Sequence, residues 1–308
     1  MTLAMVFPGQ GSQSQGMQAD LAAEFDVVSA TYEEASGVLG FDLWELVQSG
    51  PAEKLGETTN TQPAMLAAGV AAYRVWQASG GETPAQMAGH SLGEYTALTC
   101  AGAVEFSDAM RVVKRRSELM QAAVPVGEGG MAAIIGLDDD VVLDVCSEAA
   151  SAGVVEAVNF NSPGQVVIAG HTGAVEAAVE IATEKGAMKA IVLPVSVPSH
   201  SSLMTPAGEA LAEALAEAEF STPGIKVIGA ADGSPYGDGD DIRGRLSRQV
   251  YSPVRWVGTI EALTEGGATR IVECGPGKVL TGLMRRIDRK MSTGFVHDQA
   301  SLQKALAG

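Results

Sequence analysis

The sequence has few cysteines, few aromatic side chains and few basic residues. Its 308 residues include 3 cysteines, which are widely spaced, with no CxxC pair and no histidine at metal-ligand spacing. We therefore expect reduced, buried thiols and no metal site. Only 20 lysine and arginine residues stand against 37 aspartate and glutamate residues, a formal net charge of −17. Since phosphate binding needs a basic face, no nucleic-acid partner is expected.

Long hydrophobic runs and complete nucleotide-binding loops are also missing. No stretch approaches the roughly 20 apolar residues of a membrane span, and the first residues lack a basic region followed by a long apolar run. We therefore expect a cytoplasmic protein without a membrane partner. The glycine-rich loop near the start has Ser14 where GxGxxG requires glycine, and the stretch 275–278 lacks the upstream glycine of a Walker loop. Nucleotide binding is therefore not predicted.

The order of predicted elements indicates an α/β protein. Strands alternate with helices at both ends of the chain, which predicts a mainly parallel sheet covered on both faces. Between residues 126 and 197 the order becomes β-α-β-β-α-β, the split βαβ or ferredoxin-like arrangement. We predict a large domain, residues 1–125 and 198–308, with a small ferredoxin-like domain, residues 126–197, inserted into it. The glycine- and aspartate-rich stretch 237–241 predicts a loop.

The stretch GHSLGEY at 89–95 contains a GxSxG pattern between a short predicted strand and a predicted helix. This context is typical of a nucleophile on a sharp turn, where small neighbours lift the serine hydroxyl above the sheet. The free N–H groups at the start of the helix lie close to the oxygen of an acyl group on such a serine. Ser91 is therefore the predicted nucleophile, and the backbone N–H of Leu92 is the natural first oxyanion donor.

A nucleophilic serine needs a base, and the chain has 4 histidines. His90 is adjacent to Ser91, so its side chain should point to the opposite side. His171 opens a predicted helix, where a capping or exposed role is favoured, and His297 reads as a strand or surface residue. His200 lies in a stiff polar loop where the chain leaves the predicted insertion, which favours it as the base over a merely solvated loop residue. No acidic residue stands near it in sequence, so we expect a Ser-His dyad oriented by a carbonyl or amide oxygen.

Seven motifs together resemble the malonyl-CoA:acyl carrier protein transacylases of bacterial fatty-acid synthesis. In chain order they are PGQGSQ at 8–13, GHSLGEY at 89–95, RSELMQAAVP at 116–125, NFNSPGQVVIAG at 159–170, PSHSSLM at 198–204, RQVYSPVRW at 248–256 and GPGKVLTGL at 275–283. The resemblance implies an α/β-hydrolase-like large domain with a ferredoxin-like insertion, and a monomer. It implies no bound cofactor and two substrates: malonyl-CoA and the phosphopantetheinylated acyl carrier protein, an acidic, transient partner.

The resemblance also implies a role for individual residues. Arg116 would bind the free carboxylate of the malonyl group, which suits a guanidinium because it can form two parallel hydrogen bonds that a lysine cannot. The backbone carbonyl of Gln249 would orient the histidine, which explains the missing acid. The remaining roles are nucleophile for Ser91, base for His200, and oxyanion hole for the Gln10 side chain with the Leu92 N–H.

Three alternatives stay open in the sequence. A serine thioesterase or esterase would pass the acyl group to water; a polyketide-pathway acyltransferase would serve another carrier protein; a non-catalytic domain would keep a vestigial site. Leu92 and the PSH sequence at 198–200 are typical of the malonyl-specific, fatty-acid type. An acidic carrier protein must dock on local basic residues, and the candidates are Arg285, Arg286, Arg289 and Lys290, with Lys185 and Lys189 from the insertion.

Overall fold

Two β-sheets organise the chain, and the computed structural model describes residues 2–195 and 197–308. The strands are β1 (Leu3–Phe7), β2 (Gln86–Gly89), β3 (Gly129–Ile135), β4 (Val155–Ser162), β5 (Gln165–His171), β6 (Lys189–Val192), β7 (Lys226–Ile228), β8 (Arg270–Cys274) and β9 (Ser292–Val296). The first sheet has the order β7-β2-β1-β8-β9 with every neighbouring pair parallel, and the second has the order β4-β5-β3-β6 with every pair antiparallel. The predicted α/β fold with a mainly parallel sheet is confirmed.

The helices connect these strands and cover the sheets. They are α1 (Ala19–Glu24), α2 (Asp26–Leu39), α3 (Leu43–Ser49), α4 (Ala52–Gly56), α5 (Thr58–Ala78), α6 (Gly93–Cys100), α7 (Phe106–Ala123), α8 (Asp139–Ala149), α9 (Thr172–Glu184), α10 (Thr205–Glu217), α11 (Gly239–Gln249), α12 (Trp256–Glu265), α13 (Val279–Ile287) and α14 (Gln299–Ala307). Among the described residues, no helix combines the length and the hydropathy needed to cross a membrane.

The parallel sheet is buried on both faces. All five residues of β1 are buried, and they alternate between two hydrophobic clusters: Leu3, Met5 and Phe7 belong to one, and Ala4 and Val6 to the other. The first cluster includes residues of α2, α5 and α7, and the second includes residues of α12 and α13. This continuous burial is what a parallel strand between two helical layers requires.

The antiparallel sheet has two different faces. One face packs against α8 and α9 around Val166 and Ile168, in a cluster separate from those of the parallel sheet. The opposite face carries Met131, Val158 and Val167. These residues pack together with Ala169 in a second cluster, separate from the one that contains α8 and α9. The second face is therefore free to form one wall of a cavity.

Backbone hydrogen bonds join β4 to the segment before α12. The Phe160 N–H donates to the Val254 carbonyl at 2.9 Å, and the Val254 N–H donates to the Val158 carbonyl at 2.8 Å. Strand β4 is at the edge of its sheet, and these bonds pair some of the backbone N–H and C=O groups that an edge strand would otherwise leave free. They also hold the antiparallel sheet in place against the part of the chain that carries the parallel sheet.

The prediction of a loop at 237–241 is wrong from Gly239 onward. Helix α11 begins at Gly239, and the Asp238 side chain accepts a hydrogen bond from the Asp241 N–H at 3.0 Å. Aspartate is favoured at this capping position because its carboxylate satisfies one of the free N–H groups of the first turn. The stretch is therefore a helix start, with the loop ending at its cap.

Candidate active site

Ser91 occupies a tight turn between β2 and α6. Its φ of 53° lies in the left-handed region, which is uncommon for a residue with a side chain. The flanking glycines are required by close approach: a Cβ on Gly89 would lie 1.8 Å from the Gly93 carbonyl carbon, and one on Gly93 would lie 2.1 Å from the Phe7 carbonyl oxygen. Such a strained residue persists only where its surroundings hold it, and it is a frequent feature of functional sites.

His200 is within hydrogen-bonding distance of this serine. The Ser91 Oγ and the His200 Nε2 are 2.7 Å apart. On the other side of the ring, Nδ1 lies 2.9 Å from the Gln249 carbonyl oxygen and 3.1 Å from that of Ser252. Because both carbonyls only accept, the ring proton belongs on Nδ1, which leaves Nε2 to accept the serine proton. The expected carbonyl partner of the histidine is therefore found at Gln249, together with a second one.

The environment of His200 keeps its imidazole neutral. The side chain is buried, and burial together with the positive charge of Arg116 lowers its pKa from 6.5 to about 3. The bonds from Nδ1 to the two carbonyls oppose this shift, since they strengthen when the ring is charged. A neutral ring at physiological pH is the form that can take a proton from the serine.

Arg116 lies on α7 with only 1% of its surface exposed. Its Nη1 donates to the Gln62 Oε1 at 2.6 Å, and its Nη2 donates to the Gln249 Oε1 at 3.0 Å and to the Ser91 Oγ at 3.3 Å. The guanidinium also lies over the Tyr95 ring, 5.5 Å from its centroid. Burial lowers the pKa of Arg116, but an arginine stays protonated in proteins. Its hydrogen-bonding partners are neutral oxygens, so the charge remains uncompensated by direct contact.

The sequence alone could not separate Arg116 from its neighbour Arg115. In the structure Arg115 is exposed and pairs with Glu118 at 3.6 Å, on the outer face of α7. Of the two arginines, the one that the resemblance singles out is therefore the one that lies beside Ser91.

A cavity of about 410 Å³ opens in front of these side chains. Its walls come from the loop after β1, the turn after β2, and the free face of the antiparallel sheet. Gln10 is exposed on the first of these loops, and Leu92 stands at the start of α6, ahead of the Gly93 and Glu94 amides that make the first hydrogen bonds of the helix. Other lining residues are Gln62, His90, Ser91, Arg116, Met120, Met131, Asn161, Val167, Leu193, His200 and Leu283.

The other histidines are engaged elsewhere. The His90 Nε2 lies 2.8 Å from the Asn161 Oδ1, so this ring turns away from Ser91 and contacts the antiparallel sheet. The His171 Nδ1 accepts a hydrogen bond from the Val154 N–H at 3.0 Å, and His297 lies 3.1 Å from the Asp298 carboxylate. His171 therefore occupies the N-cap position of α9 and is partly exposed, but its side chain makes no capping hydrogen bond. No group of three or more histidine, cysteine, aspartate or glutamate side chains in residues 2–195 and 197–308 could hold a metal ion.

Three contributors to the site were not predicted: the side chains of Gln62, Gln249 and Glu94. The Gln249 Nε2 donates to the Ser91 carbonyl at 2.8 Å and to the Glu94 Oε1 at 2.7 Å. For Glu94 a signal existed, because an acidic residue three positions after the serine, in an otherwise uncharged helix, must be paired if it is buried. For Gln62 nothing in the neighbouring sequence marks it.

Known proteins resemble this chain over its whole length. The acyl transferase domain family matches residues 4–296. The malonyl CoA-acyl carrier protein transacylase of Escherichia coli (strain K12) is 53% identical over 303 residues, which cover 98% of each chain. An acyl-carrier-protein S-malonyltransferase from Burkholderia pseudomallei superposes with a TM-score of 0.98 at 53% identity, with 100% of both chains covered. A malonyl-transacylase solved in complex with its type II PKS acyl-carrier protein has a TM-score of 0.98 at 53% identity, covering 100% of this chain and 99% of that one. The chain therefore belongs to the malonyl CoA-acyl carrier protein transacylases, within the acyl transferase domain family.

Proposed function

We propose that this acyltransferase moves the malonyl group from malonyl-CoA to the phosphopantetheine thiol of an acyl carrier protein through a malonyl-Ser91 intermediate. The observation that carries this proposal is the buried Arg116 guanidinium, 3.3 Å from the Ser91 Oγ. A serine and a histidine alone would suit many acyl groups. A buried cation beside the serine suits an acyl group that ends in a carboxylate.

In the first half reaction the Ser91 Oγ attacks the thioester carbon while the His200 Nε2 takes its proton. The developing oxyanion would be received by the Gln10 side chain and the Leu92 N–H. The imidazolium that forms is stabilised through Nδ1–H by the carbonyls of Gln249 and Ser252. When the carbon–sulfur bond breaks, His200 returns its proton to the CoA thiolate, and malonyl-Ser91 remains.

The second half reaction runs the same steps in reverse with another thiol. The phosphopantetheine thiol gives its proton to His200 and attacks the ester carbon, and the bond to the Ser91 Oγ breaks as that oxygen regains the proton. Both half reactions use one base and one oxyanion site, so ping-pong kinetics follow. The two substrates are the malonyl-CoA thioester and the carrier protein's thiol, and we propose that no bound cofactor takes part.

The charge of Arg116 stays available to a substrate carboxylate because its glutamine partners offer only neutral amide oxygens. A carboxylate partner would neutralise the guanidinium and compete with the substrate. Amide oxygens of Gln62 and Gln249 hold its orientation while leaving its charge to the malonyl carboxylate, which a guanidinium can bind through two parallel hydrogen bonds.

We propose that residues 1–125 and 198–308 form an α/β-hydrolase-like catalytic domain and that residues 126–197 form a ferredoxin-like domain inserted into it. The strand order β4-β5-β3-β6, the two helices on one face and the separate hydrophobic cluster support this division. We further propose that the protein is a cytoplasmic monomer.

The carrier protein should dock near α13. Residues of this helix line the cavity, and its last turn carries the exposed Arg285 and Arg286. The Arg286 Nη1 donates to the Gln165 Oε1 at 2.5 Å, which places its charge at the cavity rim beside β5. Lys185 is held by Glu148 at 2.8 Å, so we centre the docking surface on the arginines of α13, with Arg289, Lys290 and Lys189 around them.

Intact-mass analysis tests the proposed function. After mixing with malonyl-CoA the protein should gain one malonyl group, and adding the carrier protein should move this mass to the carrier. Ser91→Ala should remove the gain, whereas Ser221→Ala, at an exposed serine bonded to a loop carbonyl, should keep it. A malonyl adduct on the Ser91→Ala protein would exclude Ser91 as the nucleophile. Release of free malonate as fast as the carrier is acylated would indicate a hydrolase.

A further inference from the structure

Glu94 is a buried carboxylate next to the site that no step described above uses. It follows Ser91 by three residues and is 1% exposed. Its Oε1 accepts from the Gln249 Nε2 at 2.7 Å, and its Oε2 accepts from the Tyr236 hydroxyl at 2.7 Å and from the Ala230 N–H at 3.1 Å. Burial raises the pKa of Glu94, and these three donors oppose that shift. Every partner donates, which is the arrangement that an ionised carboxylate requires.

Glu94 determines which way the Gln249 amide points. The amide nitrogen donates to two acceptors, Glu94 and the Ser91 carbonyl, so the amide oxygen must face the opposite side. There it accepts from the Arg116 Nη2 at 3.0 Å. If the amide were reversed, its NH2 group would face the guanidinium, donor against donor, and its oxygen would face the carboxylate.

We propose that Glu94 is a positioning residue that acts through the Gln249 amide to hold Arg116 in the orientation that binds the malonyl carboxylate. Glu94 touches neither the substrate nor the reacting atoms. Its effect is on the choice of acyl group, because an acetyl group has no carboxylate for Arg116 to bind. The inference rests on the proposed function, in which Arg116 receives that carboxylate.

Replacement of Glu94 by glutamine should break this arrangement while leaving almost the same shape. The Ala230 N–H is a donor, so the new side-chain oxygen must face it, and the new NH2 group then faces the Gln249 nitrogen. Gln249 must turn its oxygen toward residue 94 to relieve the clash, and Arg116 loses its acceptor. The opposite orientation of the new amide leaves the buried Ala230 N–H facing a second donor. Either outcome is unfavourable.

The test compares the rates at which Ser91 is acylated by malonyl-CoA and by acetyl-CoA in the full-length protein. Glu94→Gln should lower the malonyl rate about tenfold relative to the acetyl rate, which corresponds to one charge-assisted hydrogen bond. Tyr236→Phe is the matched control, since it removes another donor to the same carboxylate and does not change the direction of the Gln249 amide. Its malonyl-to-acetyl ratio should stay within about twofold of the unsubstituted protein.

Equal losses of both rates in Glu94→Gln would leave the malonyl-to-acetyl ratio unchanged, would mean a merely structural role and would overturn the proposal. No loss of either rate would overturn it as well. Gln249→Met provides a second route if Glu94→Gln does not fold: it should lower the same ratio, and an unchanged ratio would equally overturn the proposal. In the doubly substituted protein the two losses should not multiply, because both act through one amide. If the unsubstituted protein takes up no malonyl group, it is the proposed function that fails.

Discussion

His200 should make folding stability depend on pH in a way that one substitution removes. In the folded protein, burial and the Arg116 charge hold its pKa at about 3, while the unfolded chain has the ordinary value of 6.5. Between these two values the unfolded chain binds one more proton than the folded protein. Stability contributed by neutral His200 is therefore fully present above pH 6.5 and is lost as the pH falls toward 3.

The magnitude follows from the two pKa values. Lowering the pH from 7 to 5 should cost about 2 kcal/mol through His200 alone, since each pH unit below 6.5 contributes about 1.4 kcal/mol until the folded pKa is approached. Urea unfolding at pH 7 and pH 5, on the protein and on His200→Gln, measures this contribution. The carboxylates and His90 titrate in both proteins, so their effects cancel in the difference.

The expected result is that the unsubstituted protein loses about 2 kcal/mol more than His200→Gln between the two pH values. If both lose the same amount, the buried-histidine explanation is refuted. Acylation of Ser91 gives an independent check, because a base with so low a pKa stays active below pH 6.5. A rate of malonyl-CoA labelling that halves near pH 6.5 would also contradict the reasoning.

Two further predictions concern the substrates. Arg116→Met should lower kcat/KM for malonyl-CoA roughly 10²- to 10⁴-fold, the loss of two charge-assisted hydrogen bonds of about 1.5–3 kcal/mol each, while acetyl-CoA and the neighbouring control Arg115→Met are little affected; equal losses for both thioesters would disprove the role. Charge reversal at Arg285 and Arg286 should lower kcat/KM for the carrier protein about tenfold at low salt and leave CoA kinetics unchanged, with the exposed Lys304→Glu as control; unchanged carrier kinetics would place docking elsewhere.

Ser91 could be singled out as the candidate nucleophile because the features that mark it are local. The two glycines around Ser91, the strand before it and the helix after it are all visible within a few residues. His200 was reached as the candidate base by elimination, which was possible because the chain has only 4 histidines. Arg116 could be singled out only through the resemblance. Arg115 and Arg116 are both arginines in adjacent positions, and they differ only in the face of α7 that they occupy.

The rest of the site depends on contacts between distant parts of the chain. Glu94 and Gln249 are 155 positions apart in the sequence, and the direction of an amide follows from its partners in space. No local pattern contains that information. The same holds for Gln62 on α5, whose side-chain oxygen accepts a hydrogen bond from Arg116 on the neighbouring helix α7.

Some features of the fold were visible in the sequence pattern but were not predicted. Helix α2 buries Val28, Tyr32, Ala35 and Leu39, the spacing of one helical face. Asp238 was interpreted as part of a loop because aspartate and glycine favour turns and helix starts alike, and only the following residues distinguish the two.

The close approach of Gly93 to the Phe7 carbonyl has a consequence for how this protein can vary. Main-chain atoms of the β1 strand and the α6 helix are in direct contact there, and the Gln10 loop and the Leu92 amide extend from those same two segments. The spacing between the Gln10 loop and the Leu92 N–H, which we propose as the oxyanion site, is thus set by backbone against backbone. Hydrophobic side chains around them can be exchanged over generations without moving these two segments. Sequence drift in the surrounding core should be tolerated, while the glycine itself has no substitute.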